Sequence, residues 1–177
     1  MDEVGIQLRM ATAEDVSQIK QNVHVSLANP EGRPQRKRYQ DAADRRELLV
    51  LVRFDTKERI ERVVGFIEWH SRVDNGVTIR DLGTAGDEPL PGILKRLLRE
   101  MLSLLAPPMA TVKLREDLAF WNAIFEETTG FVIEGREYSR PYWRRIWTWS
   151  AENERMAAAA ARRQPQAQPP QQPHRRR

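Results

Sequence analysis

The sequence predicts an α/β fold of the α+β kind, in which a mixed, mostly antiparallel sheet of six to seven strands is flanked by about four helices. Strand-like segments cluster between residues 47 and 84 and are separated by short turns, which favours antiparallel neighbours. Two amphipathic segments, at 90–105 and 117–128, lie on either side of a short apolar strand. The 177 residues are typical of one domain.

The N-terminal part of the domain is predicted to contain a strand, one or two helices and a long loop. Residues 6–10 alternate between apolar and polar side chains, which is the period of a strand. Residues 12–15 fit a helix N-cap followed by acids in the first turn, and apolar residues in 16–23 then share one helical face. The basic stretch 29–38, with two prolines, predicts a loop or a mobile flap before a short helix at 39–46.

The next part of the sequence predicts three consecutive strands. Residues 47–54 contain the apolar run LLVLV, which indicates a buried strand. A charged turn at 55–62 leads into a second strand at 63–71, so the two strands form a hairpin. Asp74–Gly76 is a tight-turn signal, and 77–84 forms the third strand.

The remaining segments alternate between helix and strand. Residues 90–105 have apolar side chains at helical spacing, and Pro107 with Pro108 ends that helix. Gly130 ends the second helix. The other predicted elements are a strand at 111–114, a helix at 117–128, a strand that begins at 131–135 and a last strand at 142–149.

Composition divides the chain into a neutral domain and a basic tail. We predict a domain at 1–149, a helical extension at 150–163 and a disordered Gln/Pro/Arg tail at 164–177. The formal charge of +4 arises after residue 150, because 23 of the 29 basic and 23 of the 25 acidic residues precede it. The tail is expected either to contact nucleic acid weakly or only to keep the chain in solution.

Several classes of function are disfavoured by what the sequence lacks. Without cysteine there is no disulfide, thiolate metal site or cysteine nucleophile. The three histidines are widely spaced, so we predict no metal site. Neither a Gly-x-Ser-x-Gly elbow nor a phosphate-binding lysine loop occurs. No segment has the pattern of a secretion signal or the length of a membrane span, so we expect a cytoplasmic protein without membrane contact.

The order of elements and the segment from Thr84 to Leu98 resemble the GNAT superfamily of acyl-CoA-dependent N-acyltransferases. In that family a strand runs into a loop and a long helix with a Gly-x-(Gly/Ala)-x-x-Leu-Leu pattern. Here Thr84 takes the last strand position, Gly92 the first loop glycine and Leu97-Leu98 the apolar pair, without gaps. Gly130-Phe131 is similar to the Gly-Phe that commonly follows the family's next helix.

The resemblance implies an N-acyltransferase that uses acetyl-CoA or another acyl-CoA and modifies the amine of a small molecule or a protein. In the family, backbone amides of the loop and of the helix N-terminus hold the pyrophosphate, as helix geometry favours. The residues that would contact acyl-CoA here are Leu82, Gly83, Thr84, Leu90, Gly92, Ile93, Leu94, Lys95, Asn122 and Phe125.

The same segment departs from the family pattern, which keeps a second hypothesis open. Pro89 replaces the usual Arg or Gln, and Leu94 replaces the second Gly or Ala. Pro89 and Pro91 each remove an amide donor. Phe125 lies nearest the position of the family's tyrosine acid and cannot donate a proton. The alternative is a GNAT-like domain that no longer catalyses and acts as a binding or structural module, associated with nucleic acid through its tail.

Carboxylates and a histidine near the central strands are candidate bases for deprotonating an amine. Glu68 and His70 are two residues apart and share one strand face, and Asp81 is on the neighbouring strand. In the competing interpretation Glu68 and His70 form a solvent-exposed face and Asp81 makes structural hydrogen bonds. Tyr138 or Tyr142 is the candidate replacement for the missing acid.

Aromatic residues are concentrated in the last predicted strand. Trp143, Trp147 and Trp149 alternate onto one face, which is typical of a core but also of an acceptor wall or a partner surface. We therefore expect this strand to be the edge of a homodimer if the protein forms one.

Overall fold

The computed structural model describes residues 5–163, and the predicted tail at 164–177 lies outside them. The strands are β1 Ile6–Met10, β2 Leu48–Asp55, β3 Ile60–Ser71, β4 Val77–Thr84, β5 Ala110–Arg115, β6 Phe131–Ser139 and β7 Tyr142–Trp149. The helices are α1 Ala13–Asn22, α2 Tyr39–Asp44, α3 Pro91–Leu105, α4 Ala119–Glu126 and α5 Ala151–Arg163. Within these residues, α5 occupies the place of the predicted helical extension.

All seven strands form one sheet in the order β1-β2-β3-β4-β5-β7-β6. Every neighbouring pair is antiparallel except β4 and β5. This confirms the predicted mixed, mostly antiparallel sheet. The expectation that the last strand is a dimer edge is wrong, because β7 lies between β5 and β6 and pairs with both.

Local sequence signals set the start of α1 as expected. The Thr12 side chain accepts a hydrogen bond from the Asp15 amide at 3.3 Å, and the Asp15 carboxylate accepts one from the Thr12 amide at 2.8 Å. This capping box satisfies two amides that the helix itself leaves without partners. Val16 and Ile19 on the buried face then pack against the sheet.

The two faces of the sheet have separate cores. α1 and α2 cover one face, where Phe66 of β3 packs among their side chains. α3 and α4 cover the other, where Ile67 and Trp69 of β3 are buried. α3 approaches β3 closely at Gly65, since a Cβ there would lie 2.9 Å from Ile93 Cγ2.

One extra residue in the middle of β4 shifts the alternation of its side chains between the two faces of the sheet. Trp69 pairs with Ile79 and Glu68 pairs with Asp81, so Arg80 forms a β-bulge. Ile79 therefore faces the α3 side, whereas Asp81 faces the α1 side. The bulge thus places a carboxylate of β4 directly opposite Glu68.

β6 begins where the sequence predicts and ends at Ser139. A further irregularity at Glu134 interrupts the pairing with β7, and the strand continues past Gly135 as far as Ser139. α2 and α4 are each shorter than predicted, ending at Asp44 and Glu126. None of the helices between residues 5 and 163 has the length and apolar character needed to cross a membrane.

Candidate functional site

The parallel strands β4 and β5 separate almost as soon as they pair. Only Val77–Ala110 and Thr78–Thr111 are in register, after which the two strands diverge. A cleft of about 420 Å³ opens at this point. Its lining comes from Ile79 and Arg80 of β4, residues 112–115 of β5, Leu118, Tyr142 and Arg144 of β7, and part of the loop after α1, namely residues 27–31 and 33.

A larger hollow in the described residues lies elsewhere. It has a volume of about 510 Å³ and is lined by side chains of α3, α5 and the end of β7. Arg99 and Glu154 are the titratable residues of its lining. Neither lining contains Glu68, His70 or Asp81, but the cleft lies where β4 and β5 separate, so we place the candidate site there.

The segment 22–29 covers the outer edge of β4 next to the cleft. The Leu27 amide donates to the Leu82 carbonyl at 2.9 Å, and the Gly86 amide donates to the Asn22 carbonyl at 2.9 Å. Ser26 also pairs with Gly83 as an isolated bridge. A ligand that bonds to this edge must therefore displace the segment or remain near Ile79.

The N-terminus of α3 presents backbone amides beyond the end of β4. Leu90 is the N-cap and makes no side-chain capping bond, and Pro91 occupies the first turn. The Thr84 hydroxyl accepts from the Leu90 amide at 3.0 Å, which ties the loop to the strand. First-turn amides have no partner within a helix, and a Cβ at Gly92 would meet no atom within 4 Å. The positive end of the helix is therefore open to an anion.

Other residues proposed to bind acyl-CoA are distributed around this helix. Leu90 is exposed, whereas Ile93 packs against β3 and Leu94 is buried in the core. The Leu94 side chain therefore points away from the surface where an anion would approach. Lys95 forms an ion pair with Glu127 at 2.9 Å.

Two of the proposed cofactor residues lie in the core, and the structure does not bring them to the cleft. The Asn122 amide donates to the Arg115 and Leu118 carbonyls and accepts from the Trp147 indole at 3.0 Å. Phe125 is fully buried and packs edge-on against Phe131. Asn122 instead fixes the end of β5 to α4.

The candidate bases Glu68 and Asp81 are brought together beneath the loop after α1. They are cross-strand neighbours, and the Lys37 ammonium contacts Glu68 and lies 3.5 Å from the nearer Asp81 oxygen. The Tyr39 hydroxyl donates to Asp81 at 2.6 Å. Burial, and then the negative charge of Asp81, raise the pKa of Tyr39 above its ordinary value. Tyr39 is therefore a fixed donor.

The two carboxylates differ in the hydrogen bonds that they accept. Asp81 also accepts from the Ala28 and Leu82 amides, at 3.0 and 2.9 Å, so its oxygens are saturated. Glu68 is only 4% exposed, which contradicts the solvent-face interpretation for this residue. Its Oε2 is close to Lys37 but outside hydrogen-bond geometry, and it has no other partner among residues 5–163. Glu68 is therefore a buried carboxylate whose Oε2 is in contact with the Lys37 ammonium.

His70 belongs to a different cluster at the far end of β3. Its side chain is 46% exposed, and its Nδ1 lies 3.8 Å from Glu47. Burial alone would raise the pKa of Glu47, but hydrogen bonds from the Ser71 amide and the Arg45 guanidinium lower it. The structure therefore separates His70 from Glu68.

The two candidate tyrosines occupy different places. Tyr138 is 58% exposed on β6 and packs against Trp143. Tyr142 lines the cleft, and the Arg115 guanidinium lies 3.6 Å from its ring centroid. Strand alternation places Tyr142 on the face of Arg144, opposite to Trp147, and this signal in the sequence distinguishes it from Tyr138.

Sequence reasoning missed the basic character of the cleft. Its cationic lining residues are Arg33, Arg80, Lys113, Arg115 and Arg144. The neutral charge of residues 1–150 hid them, because acids elsewhere balance them. In β5 the signal was the alternation of Lys113 and Arg115 with buried Val112 and Leu114.

Comparison with known proteins supports the assignment of the fold. No protein-family model matches the chain, and no curated protein has a detectably similar sequence. A GNAT-family acetyltransferase from Bacillus cereus ATCC 10987 is 15% identical with a TM-score of 0.64, over 82% of this chain and 96% of that one. A chain of the NatC complex bound to Gag peptide and CoA is 13% identical with a TM-score of 0.60, over 83% of this chain and 99% of that one. The ribosomal-protein-S18-alanine N-acetyltransferase from Escherichia coli is 14% identical with a TM-score of 0.57, over 81% of this chain and 92% of that one.

These similarities, together with the sheet order and the diverging β4–β5 pair, show that the chain has the GNAT fold. The resemblance in its sequence predicted this fold. At such low identity the likeness concerns the fold, and activity has to be argued from the cleft.

Proposed function

We propose that the protein is an acyl-CoA-dependent N-acyltransferase, with acetyl-CoA as the favoured donor, acting on an amine acceptor. The observation that carries the proposal is the cleft where β4 and β5 separate, with the open N-terminus of α3 following β4. Two of the structural neighbours named above are acetyltransferases by name, and a third was solved with CoA and a peptide. The acceptor is a small amine or a protein amine.

The described residues fit the phosphate end of such a donor. Gly92 and Ile93 would present amides at the positive end of α3, where negative charge is stabilised. The α-carbon of Gly92 has open space around it, and Leu94 faces the core. The thioester would supply the acyl group once the donor is bound.

Glu68 is the residue we propose as the general base. An ammonium group must lose a proton before its nitrogen can attack an acyl carbon, and Glu68 is a buried carboxylate that accepts no directed hydrogen bond at Oε2 within residues 5–163. Lys37 contacts this carboxylate and keeps a cation beside it. Lys37 also lines a second hollow, which shares Ala28, Asn29 and Arg33 with the cleft. Rearrangement of this loop would open a path between the acceptor and Glu68.

The role of Glu68 can be separated from its contribution to folding. Glu68→Gln is expected to lower kcat by roughly 100- to 10,000-fold while CoA affinity stays unchanged. Glu100→Gln, an exposed carboxylate on α3, is the matched control. Unchanged kcat in a folded Glu68→Gln protein would remove Glu68 from the mechanism.

Tyr142 is the proposed donor of a proton to the leaving thiolate. It lines the cleft, and its ring is stacked against the Arg115 guanidinium, which fixes its position. Tyr138 is therefore not retained as the first candidate, because it lies on the exposed outer strand.

The absence of cysteine makes the activity simple to measure. A thiol-reactive dye detects only released CoA, since the protein has no thiol of its own. The first test is calorimetry with acetyl-CoA and CoA, followed by thiol release with a panel of amines. A donor present at 100 times its Kd would stabilise the fold by about 2.7 kcal/mol. The absence of both binding heat and a thermal shift at millimolar donor would refute the proposal.

A second candidate is a GNAT-fold binding or structural module without catalysis. It is favoured by the segment 22–29, which occupies the outer edge of β4, and by the amides that Pro89 and Pro91 lack. This candidate predicts no CoA binding, so the same calorimetry distinguishes the two. Turnover of acetyl-CoA with any amine would eliminate it.

Three further expectations remain predictions from the sequence. These are weak nucleic-acid contact by the Arg-containing tail, homodimer formation and a cytoplasmic location. Deletion of residues 164–177 tests the first, since retention on DNA or RNA at low salt should then disappear.

A further inference from the structure

Most of the charges around the cleft are already compensated, but two guanidinium groups are not. Arg115 forms ion pairs with Glu31 at 3.0 Å and with Asp117 at 2.6 Å. Arg33 also pairs with Glu31, at 2.8 Å, and Lys113 pairs with Glu137 at 3.0 Å. Within residues 5–163, Arg80 and Arg144 have no carboxylate oxygen within 4.0 Å.

Arg144 is held in a position that is unfavourable without a ligand. Its Nε is buried and has no hydrogen-bond partner among the described residues. It also stands directly opposite Arg115 in the β5–β7 pair, and like charges in that relation are destabilising. Glu137 is its neighbour on β6, but that carboxylate is bonded to Lys113. An anion in the cleft would satisfy the free donor and offset the repulsion.

Arg80 completes the pair from the opposite wall. It is the extra residue of the β4 bulge and is exposed to the cleft. Bulges commonly redirect a side chain beside an active site. A guanidinium group from β4 and another from β7 therefore reach the same space from its two sides.

We propose that the acceptor is an anionic amine, one whose primary amino group is carried by a molecule with carboxylate groups, held by Arg80 and Arg144. This proposal rests on the proposed acyltransferase function and specifies the substrate class of the same cleft. The planar guanidinium fork matches a carboxylate and binds it more specifically than a lysine would. A polyamine would meet unfavourable charge in the same place.

The donor's phosphates are a less suitable occupant for these arginines. The amides proposed for the phosphates lie after Thr84, beyond the C-terminal end of β4, whereas Arg80 lies in the middle of the strand. Arg80 and Thr84 are four residues apart on the strand, or about 13 Å. The cleft is also walled by β7, which is two strands away from β4 in the sheet order.

The test compares acceptors of opposite charge on matched variants. Thiol release is measured with glutamate, with a peptide that begins Asp-Glu, and with spermidine. The proteins are the full chain, Arg80→Gln, Arg144→Gln and the control Arg53→Gln, an exposed arginine on β2 outside the cleft. We expect kcat/KM for an acidic acceptor to exceed that for spermidine at least tenfold. Each cleft variant should raise the acidic acceptor's KM by about tenfold or more, with kcat little changed.

A binding measurement makes the outcome independent of catalysis. Calorimetry with N-acetylglutamate and with the N-acetylated acidic peptide, in the absence of CoA, should show binding that both cleft variants weaken and Arg80→Lys partly restores. The peptide and the free amino acid distinguish a protein terminus from a metabolite as the source of the acidic amine.

Two results would overturn the acidic acceptor. One is a preference for spermidine over the acidic acceptors. The other is that the cleft variants weaken CoA binding and leave the KM for the acceptor unchanged. If CoA does not bind but the acidic ligands do, the acyltransferase function fails while the anion site stands. If CoA binds and neither acidic ligand does, the anion site fails alone.

Discussion

Removing the Lys37 ammonium should destabilise the protein strongly, because it is the cation shared by two buried carboxylates. Glu68 and Asp81 are almost inaccessible to solvent, and Lys37 is the cation in contact with both within the described residues. At the 3.5 Å separation from Asp81, an effective dielectric constant near 20 gives an attraction of about 5 kcal/mol. Breaking a buried pair typically costs 3–5 kcal/mol, and the 26% exposure of the Lys37 side chain favours the lower end. We expect Lys37→Met to lower the free energy of unfolding by about 3 kcal/mol.

Urea unfolding at pH 7, followed by circular dichroism, measures this loss. Lys20→Met is the matched control, since Lys20 is exposed on α1 and such surface changes stay within about 0.5 kcal/mol. In a Glu68→Gln background the cost of Lys37→Met should shrink, because one buried charge has gone. A loss below about 1 kcal/mol in the single variant would refute the electrostatic reasoning.

Three further predictions concern the hydroxyl groups and the packing of α3. Because burial and Asp81 raise the pKa of Tyr39, its stabilising contribution is complete below the unfolded pKa of about 10 and is lost as pH rises above it. The urea midpoint should therefore fall between pH 9 and 11, and Tyr39→Phe should flatten that fall; parallel curves would contradict it. Tyr142→Phe should lower kcat at least tenfold and Tyr138→Phe should not; equal effects would exclude Tyr142 as the acid. Gly65→Ala should lower the free energy of unfolding by about 1–3 kcal/mol, since its Cβ would lie 2.9 Å from a side chain of α3. Gly92→Ala is the control, because a Cβ there would meet no atom within 4 Å. Equal losses of stability in thermal melts of the two variants would contradict the close packing at Gly65.

Features governed by local sequence were predicted well. The capping box at Thr12 and the amphipathic spacing of α3 depend on residues three or four positions apart, so they can be recognised without knowledge of the fold. The same holds for β4, whose bounds match the prediction from apolar runs and the Asn-Gly turn. Family resemblance then supplied the mixed, mostly antiparallel character of the sheet.

Features that depend on distant contacts could not be predicted. The bulge at Arg80 arises from the pairing of β3 with β4, and only that pairing places Asp81 beside Glu68. Lys37 reaches these carboxylates from a loop more than thirty residues before Glu68 in the sequence. Likewise β7 contains the aromatic pattern expected of an edge but is inserted between two strands. Each of these facts follows from tertiary pairing, which side-chain periodicity does not encode.

Amide hydrogen exchange of the full chain, with and without acetyl-CoA, is the most direct test of the proposed donor site. We expect slower exchange in the presence of acetyl-CoA at Gly92 and Ile93, whose first-turn amides lack helical partners. We also expect altered exchange at Leu27 and Gly86, whose bonds cover the outer edge of β4. Unchanged exchange at all four amides with acetyl-CoA at millimolar concentration would contradict the assignment of the β4–β5 cleft as an acyl-CoA site.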